Sequence, residues 1–121
     1  QYWYTIFYAG NVIQKYRTSD NGFVGDVNIT GGSWNTFAIS ADSKFAYIVD
    51  WSITGRIAVV NLETMTLITT YGALSWPHGS YLNQNMTVLY VTAQYGNFIY
   101  KIDISNILLP DVNQVVLQPG Q

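Results

Sequence analysis

Residues 89–104 read LYVTAQYGNFIYKIDI. Two runs rich in Val, Ile, Tyr and Phe flank a short Gly/Asn break, which predicts two strands and a tight turn. Residues 3–18 read WYTIFYAGNVIQKYRT, nearly the same message. Tyr4 matches Tyr90, Gly10 matches Gly96, Asn11 matches Asn97, Ile13 matches Ile99 and Lys15 matches Lys101, all at a spacing of 86. Half that spacing predicts a middle copy, and AYIVDWSITGRIAVVNLET begins at Ala46, with Tyr47 lying 43 residues from both Tyr4 and Tyr90. After a one-residue slip, Val59-Val60-Asn61-Leu62 matches Lys101-Ile102-Asp103-Ile104 at 42. Upstream, SWNTFAIS (33–40) is set against SWPHGSYLN (75–83), with Trp34 and Trp76 at 42. Fixed periodicity of this length is the mark of a repeat architecture.

The unit is built of short strands. In the middle copy they are expected near 35–40, 45–50, 56–62 and 66–71, broken at Ala41-Asp42-Ser43, Thr54-Gly55 and Glu63-Thr64. These breakers tolerate positive φ or bond their own backbone. No segment sustains a helical apolar period. FIYKIDI alternates, with Phe98, Tyr100, Ile102 and Ile104 on one face and Ile99, Lys101 and Asp103 on the other, so one face is wet. AYIV and IAVV are apolar on both faces and need cover above and below. Four antiparallel strands about every 42–43 residues, some covered twice, describe an all-β fold of β-propeller blades. A β-sandwich is the alternative, but it offers only two inner faces and need not repeat.

Composition bounds the function. The chain of 121 residues is 49% hydrophobic and only 10% charged, against about a quarter charged in typical domains. Its net charge is −2, and Lys15, Arg17, Lys44, Arg56 and Lys101 are scattered, so no basic stripe for nucleic acid forms. It has no cysteine, which excludes disulfides, thiolate metal sites and a Cys nucleophile. No apolar run approaches the about 20 residues of a membrane span. Low charge with much Asn, Thr and Tyr leans towards a periplasmic, secreted or cell-surface location.

The stretch WPHGSYLNQNMTVLYVTAQYGNFIYKIDIS resembles the YVTN-type β-propeller repeat. Pro77-His78-Gly79, Leu89-Tyr90-Val91-Thr92 and Ile102-Asp103 match the family pattern directly. The middle unit is looser: Ser40-Ala41-Asp42-Ser43-Lys44 stands for Ser-Pro-Asp-Gly-Lys, Val60-Asn61-Leu62 for Ile-Asp-Leu, and Trp34-Asn35-Thr36 lacks Pro-His-Gly. The resemblance covers essentially the whole chain and implies a fold. It does not choose among the family's surface-layer and cell-surface proteins, periplasmic propellers, lactonases and redox-enzyme subunits.

Residues 1–32 are expected to form an incomplete blade lacking its innermost strand, 33–73 a blade, and 74–121 a blade followed by a C-terminal linker. Propellers typically close with four to eight blades. The ring is therefore expected to be completed by remaining blades of a longer protein, or by other chains. A free-standing small β fold is the remaining alternative. The tail LLPDVNQVVLQPGQ reads as a linker, a last outer strand, and QPGQ where a next unit begins.

Candidate binding residues are Trp34, Asn35, Asp50, Trp76 and His78, all placed near strand ends at the expected channel mouth. His78 is the one histidine; alone it makes no protein-only metal site, and a structural role stands beside a ligand contact. Trp34, Trp51 and Trp76 are read as blade packing or as a stacking rim. Tyr2, Trp3, Tyr4, Phe7 and Tyr8 form an aromatic start that expects a covering neighbour. Asn28 and Asn85 fit the N-glycosylation pattern. No carboxylate pair, metal set, cofactor motif or catalytic motif is read. The expected role is a binding or scaffolding module with a protein or small molecule at the channel mouth. The alternatives are the propeller part of a redox enzyme or lactonase-like hydrolase whose catalytic groups lie elsewhere, and a structural subunit of a layer or filament.

Overall fold

A computed structural model describes residues 1–7 and 11–118. Gly10 of the internal alignment, Tyr8 of the aromatic start and the last three residues of QPGQ lie outside the described residues. The strands are β1 (Tyr2–Ile6), β2 (Val12–Arg17), β3 (Phe23–Asn28), β4 (Trp34–Ile39), β5 (Phe45–Asp50), β6 (Gly55–Asn61), β7 (Thr66–Leu74), β8 (Pro77–Leu82), β9 (Val88–Ala93), β10 (Phe98–Asp103) and β11 (Asp111–Val116). They form three antiparallel meanders: β1-β2-β3, β4-β5-β6-β7 and, read from its far edge, β11-β10-β9-β8. Among the described residues no helix is long and apolar enough to cross a membrane.

The repeat seen in the sequence is a repeat of hydrogen-bond register. Tyr4 pairs with Lys15 and Tyr90 pairs with Lys101. Tyr47 pairs with Val59, one residue further along, so the middle copy's slip is an extra residue in its β5–β6 connection. β1 corresponds to β5 and β9, and among the described residues the first sheet has no strand in the place of β4 and β8. The tail supplies the fourth strand of the last sheet, with Asp111 opposite Asp103.

Equivalent turns are closed by different chemistry. Between β4 and β5, Ser43 adopts φ 60° and its N–H donates to the Ser40 carbonyl, while the Ser40 hydroxyl accepts from the Phe45 amide. Between β8 and β9, Met86 also sits at φ 60°, and the Asn83 carboxamide accepts from the Thr87 and Val88 amides. Ser and Asn both satisfy turn amides through a short side chain, which is why the resemblance between the copies fades here.

The sheets stack face to face. Tyr47, Val49, Ile57, Val59, Tyr71 and Leu74 of the middle sheet pack on Leu89, Val91, Tyr100, Ile102 and Ile104 of the last. Trp34, Ala46, Ile48, Ala58, Val60 and Leu62 face the other way and pack on Ile13 and Ile29 of the first. The middle sheet is thus apolar on both faces because both are covered. β10 behaves as its alternation predicts: Tyr100 and Ile102 are buried, while Lys101 and Asp103 are wet.

The ladder corrects one alignment. Trp34 pairs with Asp50 and Pro77 pairs with Ala93, so Pro77, not Trp76, is the counterpart of Trp34. Along the first two strands the true spacing is 43. Matching the two Ser-Trp dipeptides shifts one copy by one residue, and a one-residue shift sends a side chain to the opposite face. Trp34 consequently lies wholly inside, whereas Trp76 sits on the rim at φ 44°.

Two phenols lie in the seam between the middle and last sheets. Burial, helped by the charge of Asp42, pushes Tyr47 up to about 12. Tyr71 is raised as well, by burial and then by Tyr47, and its hydroxyl donates to the Ile107 carbonyl at 2.6 Å. A group whose folded pKa is raised keeps its full contribution below its unfolded pKa, about 10 for a phenol, and loses it as pH climbs towards the folded value. Stability is therefore expected to be flat up to about pH 10 and then to fall by roughly 1.4 kcal/mol per pH unit for each phenol. Urea unfolding across this window checks it, and Tyr47→Phe should make the fall shallower.

Candidate functional site

The first strands β4 and β8 lie beside one another, tied by the Thr36 hydroxyl donating to the His78 carbonyl at 2.6 Å. Each is interrupted near its start. Between Trp34 and Thr36 the pairing with β5 shifts, leaving Asn35 out of the ladder. Between Pro77 and Ser80 the pairing with β9 shifts, leaving out His78 and Gly79. Asn35 and His78 are counterparts at the 43-residue spacing, so both blades carry the irregularity in the same place. Such bulges bend a strand and re-aim a side chain, and they concentrate at rims and beside functional sites. Asn35 is part-exposed and His78 is exposed.

Aromatic rings gather on the same rim, from three connections. Trp51 follows β5, Trp76 precedes β8 and Tyr95 lies between β9 and β10. The Trp51 and Trp76 ring centroids are 5.4 Å apart, Trp51 and His78 are 6.4 Å apart edge to face, and Trp76 and Tyr95 are 5.5 Å apart edge to face. Backbone bonds hold these connections together. The Trp51 amide donates to the Ser33 carbonyl at 3.0 Å, the Trp76 amide to Ser52 at 2.9 Å, and the Gln94 amide to Trp76 at 3.0 Å. The Trp51 indole N–H donates to the Gln94 side-chain carbonyl. Edge-to-face rings of this kind present both π faces and C–H edges to a ligand.

Behind the rim lies a polar knot. Asp50 is 3% exposed, and its carboxylate accepts from the Ser33 amide at 2.8 Å. The Arg56 Nε lies 3.6 Å from the Asp50 Oδ2. The same guanidinium lies 5.1 Å over the Trp34 ring and donates to the Gly31 carbonyl. The Trp34 indole N–H donates to the Ile29 carbonyl at 2.7 Å. Gly55 is pressed against this region, where a Cβ would stand 2.3 Å from the Asp50 carbonyl and 2.5 Å from the Pro77 ring. A side chain there would push the β5–β6 turn away from the next blade.

Of the five candidate residues, the structure places Trp76, His78 and Asn35 on the exposed rim and Trp34 and Asp50 inside, with their polar atoms engaged within the chain. Trp51 joins the ring cluster, and so does Tyr95, which is 70% exposed. Tyr95 is not among the candidates read from the sequence. The usable signal was a large aromatic ring in a tight connection, where small polar residues are the rule. Among the described residues, no three His, Asp or Glu side chains come together as a metal set.

No family model and no curated protein sequence matches the chain. Solved structures do. A hydrazine synthase chain of Kuenenia stuttgartiensis superposes with a TM-score of 0.81 at 16% identity, over 97% of this chain and 33% of that one. A 6-phosphogluconolactonase-like protein of Bacteroides fragilis gives 0.80 at 15% identity, over 95% of this chain and 36% of that one. A second such protein, from Bacteroides uniformis, gives 0.76 at 16% identity, over 95% and 37%. The likeness at these identities is one of fold. The chain spans about a third of the length of these proteins, and its three sheets are blades of an incomplete β-propeller ring.

The polar knot is expected to support the rim. Asp50→Ala strands the Ser33 amide and the Arg56 guanidinium, and should cost about 1–3 kcal/mol. Ile53→Ala, at a side chain that is 67% exposed on the same connection, should stay within about 0.5 kcal/mol. Urea midpoints of the two variants measure the difference.

Proposed function

We propose that this chain is the ligand-presenting part of a YVTN-like β-propeller at the periplasmic or cell-surface side of its host, and that it binds through the rim carrying Asn35, Trp51, Trp76, His78 and Tyr95. The observation that supports this most is the coincidence of the two bulges with the ring cluster. Two adjacent first strands break register at the same position, and His78, freed there, belongs to a cluster with the Trp51, Trp76 and Tyr95 rings. In a closed ring, first strands line the central channel. Blade packing holds the rim in place, so little conformational entropy is spent when a ligand binds. Pro77-His78-Gly79 and Leu89-Tyr90-Val91-Thr92 support the YVTN resemblance. The low charge and abundance of Asn, Thr and Tyr support the location.

The second reading, an enzyme's propeller, draws support from the names of the structural neighbours, a hydrazine synthase and 6-phosphogluconolactonase-like proteins. Under that reading, the rim shapes an active site whose reacting groups come from other blades or domains.

Binding at the rim is testable through tryptophan emission, since Trp51 and Trp76 belong to the cluster. Titration with saccharide and peptide panels should find ligands that shift the emission of the wild type. His78→Ala and Trp76→Ala should then weaken binding about tenfold or more, as truncation of central contact residues does, with the melting temperature little changed. Ligands whose affinity is unaltered by both variants would contradict the rim. Turnover of a bound panel member would favour the enzymatic reading.

A further inference from the structure

The outer faces of the first and last sheets are unlike each other, and the repeat says what one of them is for. On the far face of β8–β11 stand Tyr81, Tyr90, Ile99, Lys101 and Val115. Tyr81 is 65% and Val115 42% exposed, Lys101 is in water, and Tyr81, Tyr90, Thr92 and Ile99 line an open cleft of about 310 Å³. In the first sheet, Tyr4, Ile13 and Lys15 occupy the same ladder positions, and they are the same residue types. That triad is covered. Ile13 is fully buried against the middle sheet and Lys15 is 6% exposed. The Lys15 ammonium lies 4.1 Å over the Tyr2 ring and donates to the Leu62 carbonyl of the next sheet at 2.7 Å. A lysine is almost never this buried without a partner.

We propose that the open face of β8–β11 is an interblade seam covered by a further blade of the same polypeptide, and that Lys101 is buried in it with its ammonium on the backbone carbonyl that stands where Leu62 stands. Lys15 is the worked example within the same chain. The covering sheet needs small aliphatic residues where the middle sheet presents Ala46, Ile48, Ala58 and Val60 to the first triad. A second copy does not offer them. The outer face of its β1–β3 carries Trp3, Thr5, Gln14 and Tyr16 at those positions, with Trp3 stacked on Tyr16 at 4.4 Å. These bulky and polar groups would meet Tyr81, Tyr90 and Ile99 as obstacles. The three sheets also succeed one another in chain order, the middle one lying between its sequence neighbours, so the next blade in sequence is the one that falls on β8–β11. This inference stands apart from the binding reading, which concerns the rim.

Brief acetylation with a lysine-selective reagent, read by peptide mass spectrometry, tests it with controls that the chain already holds. Lys15 is the buried standard and Lys44 the exposed one. In the protein isolated from its source, Lys101 should react like Lys15, about tenfold or more slower than Lys44. In the 121-residue chain alone, Lys101 should react like Lys44 while Lys15 stays slow. Fast acetylation of Lys101 in the source protein overturns the proposal. So does protection of Lys101 that appears in the 121-residue chain with rising concentration and a doubled native mass, which would assign the face to a second copy. Protection in the source protein that vanishes once other polypeptides are separated from it also overturns it. Should the short chain fail to fold, Lys15 becomes fast there, and the source-protein arm decides alone.

Discussion

Everything in this fold depends on covering both faces of the β4–β7 sheet. Along a strand, side chains alternate between faces, and in β5 and β6 both sets are apolar and buried. Ala46, Ile48, Ala58 and Val60 need one neighbour; Tyr47, Val49, Ile57 and Val59 need another. A single sheet cannot bury both sets, and two sheets bury only one face of each. Stacked meanders of kindred sequence satisfy the requirement and carry it on to the next member. The hydrophobic pattern does not choose the register of β5 and β6, since either face accepts apolar residues. Turn chemistry does so instead. The β4–β5 turn, closed by Ser40 and Asp42, and the β6–β7 turn, where the Asn61 carboxamide accepts from the Glu63 and Thr64 amides, lie side by side at one end, joined by the Leu62 amide donating to the Lys44 carbonyl.

The strands, their order and the double covering were legible in the sequence because they follow from local alternation and breakers repeated at a fixed interval. Tyr4, Tyr47 and Tyr90 marked the same ladder position in all three sheets. The site was legible only in part. His78 and Asn35 stood near strand starts in the sequence reading, but the shared bulge that frees them is a matter of hydrogen-bond pairing and leaves no mark in residue type. Trp34 and Trp76 looked alike because each follows a serine. One residue of register separates a core tryptophan from a rim tryptophan, and composition cannot show that. Tyr95 joins the site through a contact with Trp76, across a distance in sequence that no local pattern reports.

The rim follows from the same packing. Gly55 lets the β5–β6 turn press against Pro77 of the next sheet, and backbone bonds from Trp51, Trp76 and Gln94 carry the connection across to the following turn. Asp50 and Arg56 hold the rim from beneath. The rim rings are thus placed by groups that themselves stay inside, an arrangement that holds the rim without enclosing it.

Amide hydrogen exchange followed residue by residue tests the stacked-sheet account most directly. Buried, fully paired strands open only with the whole fold, while edges open locally. The account predicts that residues 46–49 and 57–60 exchange slowest in the chain, and that 111–116, exposed along a sheet edge, exchange fastest among the strands. If the middle strands exchange as quickly as that edge, the β4–β7 sheet is not covered on both faces and the arrangement described here is wrong.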